Sequence, residues 1–247
     1  MLANLFLKRR ALERTMNQEK VNACIAILED LYGVPRAGES DPVDLLVMTI
    51  LSQNTSDSNS LRAFGSLKSA YTNYEEILDA KEEEIARKIR AGGLAEIKAR
   101  RIRDTLLKIK QDAGAIDLGF LAGMDKDKAW EYLLSFPGIG PKTASVVLLF
   151  AFGFPVMPVD THVFRVSRRL GVVPEKASIE KTQQILEEIV PADKYLSLHL
   201  NLIRHGRLIC RARSPRHEEC ALRSVCDCYL RAQALNDSNN HPHSALR

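Results

Sequence analysis

Residues 136–160 read FPGIGPKTASVVLLFAFGFPVMPVD, and the rest of the chain is best understood from this stretch outward. It begins with Pro137-Gly138-Ile139-Gly140, a tight turn. Two glycines permit positive φ and leave backbone N–H groups uncovered. Residues 141–152 then place apolar side chains at helical spacing. Pro141 suits the first helical turn, where its missing N–H costs nothing. Upstream, residues 127–135 (DKAWEYLLS) also predict a helix. Helix, glycine turn, helix is a device that holds a DNA phosphate on backbone amides near a helix N-terminus. Lys142 falls just inside the second helix, and Asp160 follows eighteen residues later. Val159-Asp160-Thr161-His162 predicts a further helix start, with Asp160 as its N-cap.

The chain has 247 residues, 45% of them hydrophobic and 27% charged, which is the composition of an ordinary globular protein. That length supports one large or two small domains. A net charge of +4 points only weakly to nucleic acid. The charge is uneven, however. Arg204, Arg207, Arg211, Arg213, Arg216, Arg223 and Arg231 crowd one segment against Glu218, Glu219 and Asp227. No stretch approaches the ~20 apolar residues of a membrane span. The first residues, MLANLFLKRR, put the basic side chains after a short apolar run, unlike a secretory leader. A cytoplasmic protein is expected. Of five cysteines, four lie within residues 210–228 and Cys24 stands apart. In a reducing compartment such a cluster favours metal over disulfide.

Taken in order, residues 1–33 predict a helix, with Val21, Cys24, Ile25, Leu28 and Leu31 at steps of three and four, ended by Gly33-Val34-Pro35. Asp41-Pro42 starts a nearly all-apolar helix over 43–52, and the polar run 52–57 (SQNTSD) breaks it. Helices follow near 58–70, 74–79, 82–90 and 96–112, with Gly92-Gly93-Leu94 interrupting before the last. Beyond the opening stretch, residues 162–170, 179–190 and 196–209 predict helices, and 233–247 read as a polar, disordered tail. No strand pattern and no long repeat emerge. The fold class is all-α.

LLSFPGIGPKTASVVLLFAFG followed by PVDTHVFRVSRRLG resembles the helix-hairpin-helix DNA glycosylase superfamily, most closely its endonuclease III branch. The likeness runs from about residue 40 to 228. It implies a two-lobed fold: a helical bundle over 41–155 carrying the hairpin, and a second lobe from 1–40 and 156–232 ending in an iron–sulfur-type cluster loop. It also implies that Gly138, Ile139 and Gly140 touch DNA, that Lys142 is the nucleophile, and that Asp160 assists it from the opposite wall of a cleft. An amine attacking C1′ of a damaged nucleoside expels the base and leaves a Schiff base, from which β-elimination nicks the strand. The amine must be neutral, although a free lysine titrates near 10.4. Burial and the positive end of a helix would both lower that value. Asp160 would take a proton or stabilise the cationic sugar.

The cysteine spacing is Cys210-x6-His217-x2-Cys220-x5-Cys226. In endonuclease III-like proteins the matching pattern has four cysteines and holds a [4Fe–4S] cluster. Here the second position is His217. Three outcomes stay open: His217 as the fourth ligand, Cys228 in its place, or zinc or no metal, since Cys₃His is an ordinary zinc set. The resemblance gives Arg211, Arg213 and Arg216, on the loop between the first two ligands, a role in phosphate contact. It also implies two loops that fill the gap left by a flipped base. The first carries Gln53 and Asn54, where Asn54 stands at the family's usual glutamine. The second carries Leu94 as an apolar plug. His162, Trp130 and Cys24 read as structural, and His199 and His205 as structural or surface.

These expectations combine into base excision repair by a monomeric DNA glycosylase and AP lyase. Its partner would be double-stranded DNA carrying damaged bases or abasic sites, with oxidised pyrimidines removed and no membrane involved. In a prokaryote it would be nucleoid-associated. The alternatives are a monofunctional mismatch glycosylase, which usually lacks a lysine at the position of Lys142, and a non-enzymatic DNA-binding or redox-sensing relative. An adenine-specific relative is expected to carry a further C-terminal domain.

Overall fold

The computed structural model describes residues 2–36, 38 and 40–240. Twelve α-helices and no strand are present among them. In chain order they are α1 (Leu2–Tyr32), α2 (Pro42–Ser52), α3 (Asp57–Ala70), α4 (Tyr74–Asp79), α5 (Glu82–Lys88), α6 (Ala95–Ala113), α7 (Lys126–Leu134), α8 (Pro141–Phe152), α9 (Thr161–Leu170), α10 (Ile179–Ile189), α11 (Tyr195–Leu208) and α12 (Asp227–Asn240). Among the described residues no helix is long and apolar enough to cross a membrane.

Contacts divide the chain into two units, one within residues 37–154 and the other within 1–36 and 155–247. The first is built around α2, which packs against α3, α6 and α8. Asp41 caps α2 by accepting from the Val43 and Asp44 amides at 2.9 Å, and Pro42 occupies its first turn. Val43, Leu46, Val47, Ile50 and Leu51 are at most 1% exposed. Each such burial contributes about 1.5–3 kcal/mol, which outweighs the weak intrinsic helix preference of valine and isoleucine. Asp125 starts α7, and α7 packs on α8. The two helices are thereby set as a hairpin pair.

In the second unit α11 packs against α1 and α9, and α12 reaches α9. Lys20 forms an ion pair with Asp227, joining α1 to the start of α12. Gly33, at φ +85°, ends α1 with its N–H on the Glu29 carbonyl at 2.8 Å. The polar composition after residue 232 predicts disorder, yet α12 continues through Asn240. Its side chains are exposed from Leu230 to Asp237, so the helix runs on from its anchored first turns rather than from burial of its own face. Residues 241–247 of the expected tail lie outside the described residues.

Candidate active site

The hairpin turn is fixed by what it buries. Phe136 is 2% exposed and Ile139 6%. The Ile139 amide donates to the Phe136 carbonyl at 3.2 Å. Ile139 therefore spends both its side chain and its N–H inside the turn, which leaves Gly138 and Gly140 as the outward residues. Gly138 sits at φ +76°, and a Cβ there would meet the Arg101 Nε at 2.5 Å. Only glycine serves at that position, for its conformation and for the guanidinium laid against it. Gly140 precedes α8 without any side-chain cap. The positive end of α8 is thus left with no acceptor from its own flank, the situation in which a helix start takes an anion. Lys142 is the second residue of α8 and its side chain is exposed. The burial expected around it is not supplied by the protein.

Gln53 does not project away from the protein. Its Nε2 donates to the Gly138 carbonyl at 3.1 Å, and its Oε1 accepts from Arg101 at 2.9 Å. One end of the amide ties the 52–57 loop to the hairpin and the other ties it to α6. Asn54, the next residue, is exposed at φ +54°. Of the two loop residues, Asn54 is the one presented outward.

Leu94 behaves in the same way. It precedes α6 at φ +50°, left-handed backbone for a branched side chain, and is 51% exposed. A large apolar group held outward on strained backbone has no role in the core. Lys98, which sequence reading passed over, joins the two loops. It is 1% exposed, and its Nζ donates to the carbonyls of Leu51 at 2.7 Å and Gly92 at 2.8 Å. One ammonium thus closes the end of α2, just before Gln53-Asn54, onto the turn before Gly93-Leu94. Burial, with Arg101 nearby, lowers its pKa below the ordinary lysine value. The signal was available in the sequence: Ala95, Lys98, Ala99, Ile102, Leu106 and Ile109 fall on one helical stripe, and all six are buried.

In the second unit, Asp160 caps α9 with Oδ1 accepting from the His162 amide at 2.8 Å and the Val163 amide at 2.7 Å. The carboxylate's direction is therefore set within three residues of chain. His199 Nδ1 lies 3.0 Å from the Pro158 carbonyl and steadies the approach to the cap. His162 Nδ1 lies 3.1 Å from Arg165, and burial lowers its pKa. His199 and His205 are buried in this unit, and His162 is half-buried.

One cavity in this unit is lined by Cys210, His217, Cys220, Cys226 and Cys228 together with His205. Val166, Leu170, Ile209 and Leu222 supply apolar wall. Burial raises the Cys220 and Cys226 thiols, so a cation is needed to hold them as thiolates. Among the described residues no three His, Cys, Asp or Glu side chains converge on a single-ion position. As a donor set, thiols and imidazoles inside an apolar shell fit a soft metal or an iron–sulfur cluster. His205 is an addition. It is buried, its Nε2 lies 3.6 Å from the Cys220 Sγ, and its Nδ1 lies 3.3 Å from the Tyr32 hydroxyl. Cys24 is fully buried on α1, and burial pushes its thiol up to about 12, as for an inert core thiol.

The loop after Cys210 is pinned through its backbone. Arg165 Nε donates to the Cys210 carbonyl at 3.1 Å, and Arg169 donates to the carbonyls of Arg211 at 2.6 Å and Ala212 at 3.0 Å. Ser214 turns the loop at φ +50°. Arg211, Arg213 and Arg216 are all exposed. Arg216 pairs with Glu219 at 3.1 Å, whereas Arg211 and Arg213 make no ion pair among the described residues. Asn54, Leu94 and Ser214 are the non-glycine residues at positive φ among those described. Each falls on a loop whose residues the sequence marks for DNA. Strain of this kind costs of order 1–3 kcal/mol and persists where a side chain must be held in one direction.

Comparison with known proteins agrees with this geometry. Residues 47–192 match the family model described as HhH-GPD superfamily base excision DNA repair protein. A putative DNA glycosylase of Arabidopsis thaliana is 39% identical over 170 residues, which are 69% of this chain and 58% of that protein. Endonuclease III of Thermotoga maritima is 34% identical over 194 residues, covering 78% of this chain and 86% of the relative. Among solved structures, a non-covalent endonuclease III–DNA complex superposes with a TM-score of 0.75 at 27% identity, over 88% of this chain and 98% of that one. With the hairpin, the capped aspartate and the cysteine loop in place on an all-helical frame, the chain belongs to the HhH-GPD superfamily of base excision DNA repair proteins, in its endonuclease III-like branch.

Proposed function

We propose that the protein is a DNA N-glycosylase with AP lyase activity that acts on duplex DNA in the cytoplasm and removes oxidised pyrimidines. The observation that carries this reading is Lys142, placed one residue inside the uncapped start of α8, directly after the Gly138–Gly140 turn. The outward backbone of the turn binds a phosphate of the damaged strand. The amine of Lys142 attacks C1′, the glycosidic bond breaks, and the base leaves with a proton. The nitrogen gives up one of its two protons, the C1′–O4′ bond breaks with O4′ taking a proton, and an iminium that keeps the other N–H remains. Loss of a C2′ proton drives departure of the 3′ phosphate, which is the lyase step. Lys142 is exposed in the protein, so its desolvation is supplied by the bound substrate. Asp160 carries the negative charge that stabilises the cationic sugar. Its Oδ1 is held by two amides, which aims the other oxygen.

Asn54 fills the space left by the extruded nucleotide and Leu94 wedges the step beside it, each projecting from left-handed backbone. Gln53 holds the first of these loops against the hairpin. Arg211 and Arg213 contact phosphates. Cys210, Cys220 and Cys226 with His217 hold a [4Fe–4S] cluster, for which Cys228 and His205 line the same cavity as alternative donors. Bound there, the cluster supplies a rigid, electron-exchanging anchor for the arginine loop.

Borohydride trapping on duplex containing an abasic site tests the lyase. A covalent adduct should form with the wild type and vanish in Lys142→Gln. Intact binding without any adduct in the wild type points instead to the non-enzymatic relative. A cleavage panel tests the substrate class: if thymine glycol is ignored while a mismatch is processed, the oxidised-pyrimidine assignment is wrong. Iron and acid-labile sulfide should be present in the purified protein, and stoichiometric zinc without iron would overturn the cluster.

A further inference from the structure

A second concave space, of about 380 Å³, lies in the unit that carries α9 and α12. Arg165, Arg168, Arg169 and Arg231 surround it, with Phe164, Glu175 and Cys228 completing the wall. None of the four guanidiniums forms an ion pair among the described residues, and neither does Glu175. Arg165 and Arg169 donate to backbone carbonyls, and Arg169 also to the Cys210 Sγ at 3.4 Å, which fixes their positions, and neither pairs with a carboxylate among the described residues. Arg168 lies 4.9 Å over the Phe164 ring. Its Nε is buried and has no acceptor. Arg231 donates from Nε to the Asp227 carbonyl at 3.2 Å, and its terminal nitrogens have no hydrogen-bond acceptor among the described residues.

Basic residues in the last turn of α9 complement that helix's dipole, which accounts for Arg168 and Arg169 alone. It does not account for Arg231, which comes from the first turns of another helix, or for Arg165 one turn earlier. Four like charges focused into one concavity raise the local potential and attract an anion. A buried, unsatisfied donor marks a place where a partner is expected. We infer that this pocket binds a phosphate group. Arg168 and Arg231 supply the free donors, while Arg165 and Arg169 supply fixed positive charge from the floor. A phosphate offers enough acceptor oxygens to engage forks arriving from two helices, whereas a carboxylate offers two oxygens. The phosphate can come from a DNA backbone or from a free phosphate, pyrophosphate or nucleotide. Neither the chemistry at Lys142 nor the identity of the metal enters this inference. Arg169 and Cys228 line this pocket as well as the cysteine cavity, so an anion bound here sits beside the wall of that cavity.

The test is titration of the intact, metal-loaded protein with pyrophosphate, followed by calorimetry and by thermal melting. Saturable binding is expected in the wild type, and the Arg168→Gln/Arg231→Gln double variant should bind about tenfold or more weakly. Glu175→Gln should bind several-fold more tightly, because it removes the one carboxylate facing the anion, and no folding defect produces that gain. Adding undamaged duplex then separates the sources. Displacement of pyrophosphate by the duplex assigns the pocket to a backbone phosphate, and simultaneous binding assigns it to a free one. Absence of saturable binding, or equal affinity in the wild type and the double variant, overturns the proposal.

Discussion

Within residues 37–154, the loops that bear Asn54 and Leu94 are closed by the protein itself. Lys98 takes a carbonyl from each side, and Gln53 spans Arg101 and the Gly138 carbonyl. In the other unit the cysteine loop is held through its backbone by Arg165 and Arg169, while its thiols and imidazoles line a cavity. The first arrangement is complete with protein donors and acceptors alone. The second leaves thiols and imidazoles around a cavity, which the proposed cluster would complete. The difference separates what the chain fixes by folding alone from what, in the proposed function, it would fix by loading.

The largest expected effect concerns Asp160, which stands in the second unit but is held like the loops of the first. Asp160→Asn keeps an oxygen for the His162 and Val163 amides and removes the charge. Glycosylase rate should fall about 10²–10⁴-fold with the melting temperature nearly unchanged. Asp160→Ala should lose the same activity and about 1 kcal/mol of stability as well. Equal melting of the two variants would show that the cap is not what orients the carboxylate.

Removing the proposed cluster should affect only the second arrangement. After chelation and oxidation of the metal, affinity for abasic duplex should fall about tenfold or more, because Arg211 and Arg213 lose their fixed frame. The adduct trapped at saturating DNA should persist. Loss of trapping at saturation would show that the two loop systems are not independent.

Lys98→Met should cost about 2–4 kcal/mol, since the Leu51 and Gly92 carbonyls are left buried without donors. Chemical denaturation measures this directly, and a loss below about 1 kcal/mol would remove Lys98 as the link between the loops. The same residue sets a pH dependence. Its folded pKa lies below the ordinary 10.5. Between those two values the unfolded chain holds the extra proton, so stability rises with pH across that window and is flat below it. Subtracting the Lys98→Met profile isolates the contribution, which should be a positive slope on the alkaline side. The smallest effect is Gln53→Ala, at about 1 kcal/mol in stability. Its clearest readout is a higher KM for lesion duplex at unchanged melting of the metal site.

Local features were legible in the sequence. The Asp160 and Asp41 caps, the glycine turn and the stripe of α6 each lie within one or two turns of chain, where spacing dictates geometry. What could not be read is long-range. Gln53 finds Gly138 across 85 residues, and Lys98 finds Leu51 across 47. No periodicity records such a pairing, so Gln53 looked as free as Asn54. Ile139 is expected to touch DNA from the turn motif, and the structure adds that its side chain is buried as the turn's anchor. The extension of α12 through Asn240 was missed because a helix that buries little leaves no stripe.

Asn54, Leu94 and Ser214 also carry a consequence for engineering. Glycine at any of the three would relax the left-handed backbone, and each change should raise stability by up to about 1 kcal/mol. Each would also delete the side chain that the backbone holds outward. Three positions among the described residues would thus, in the proposed DNA roles, concentrate a trade between durability and repair, and a library scored on heat resistance alone would select against those side chains first.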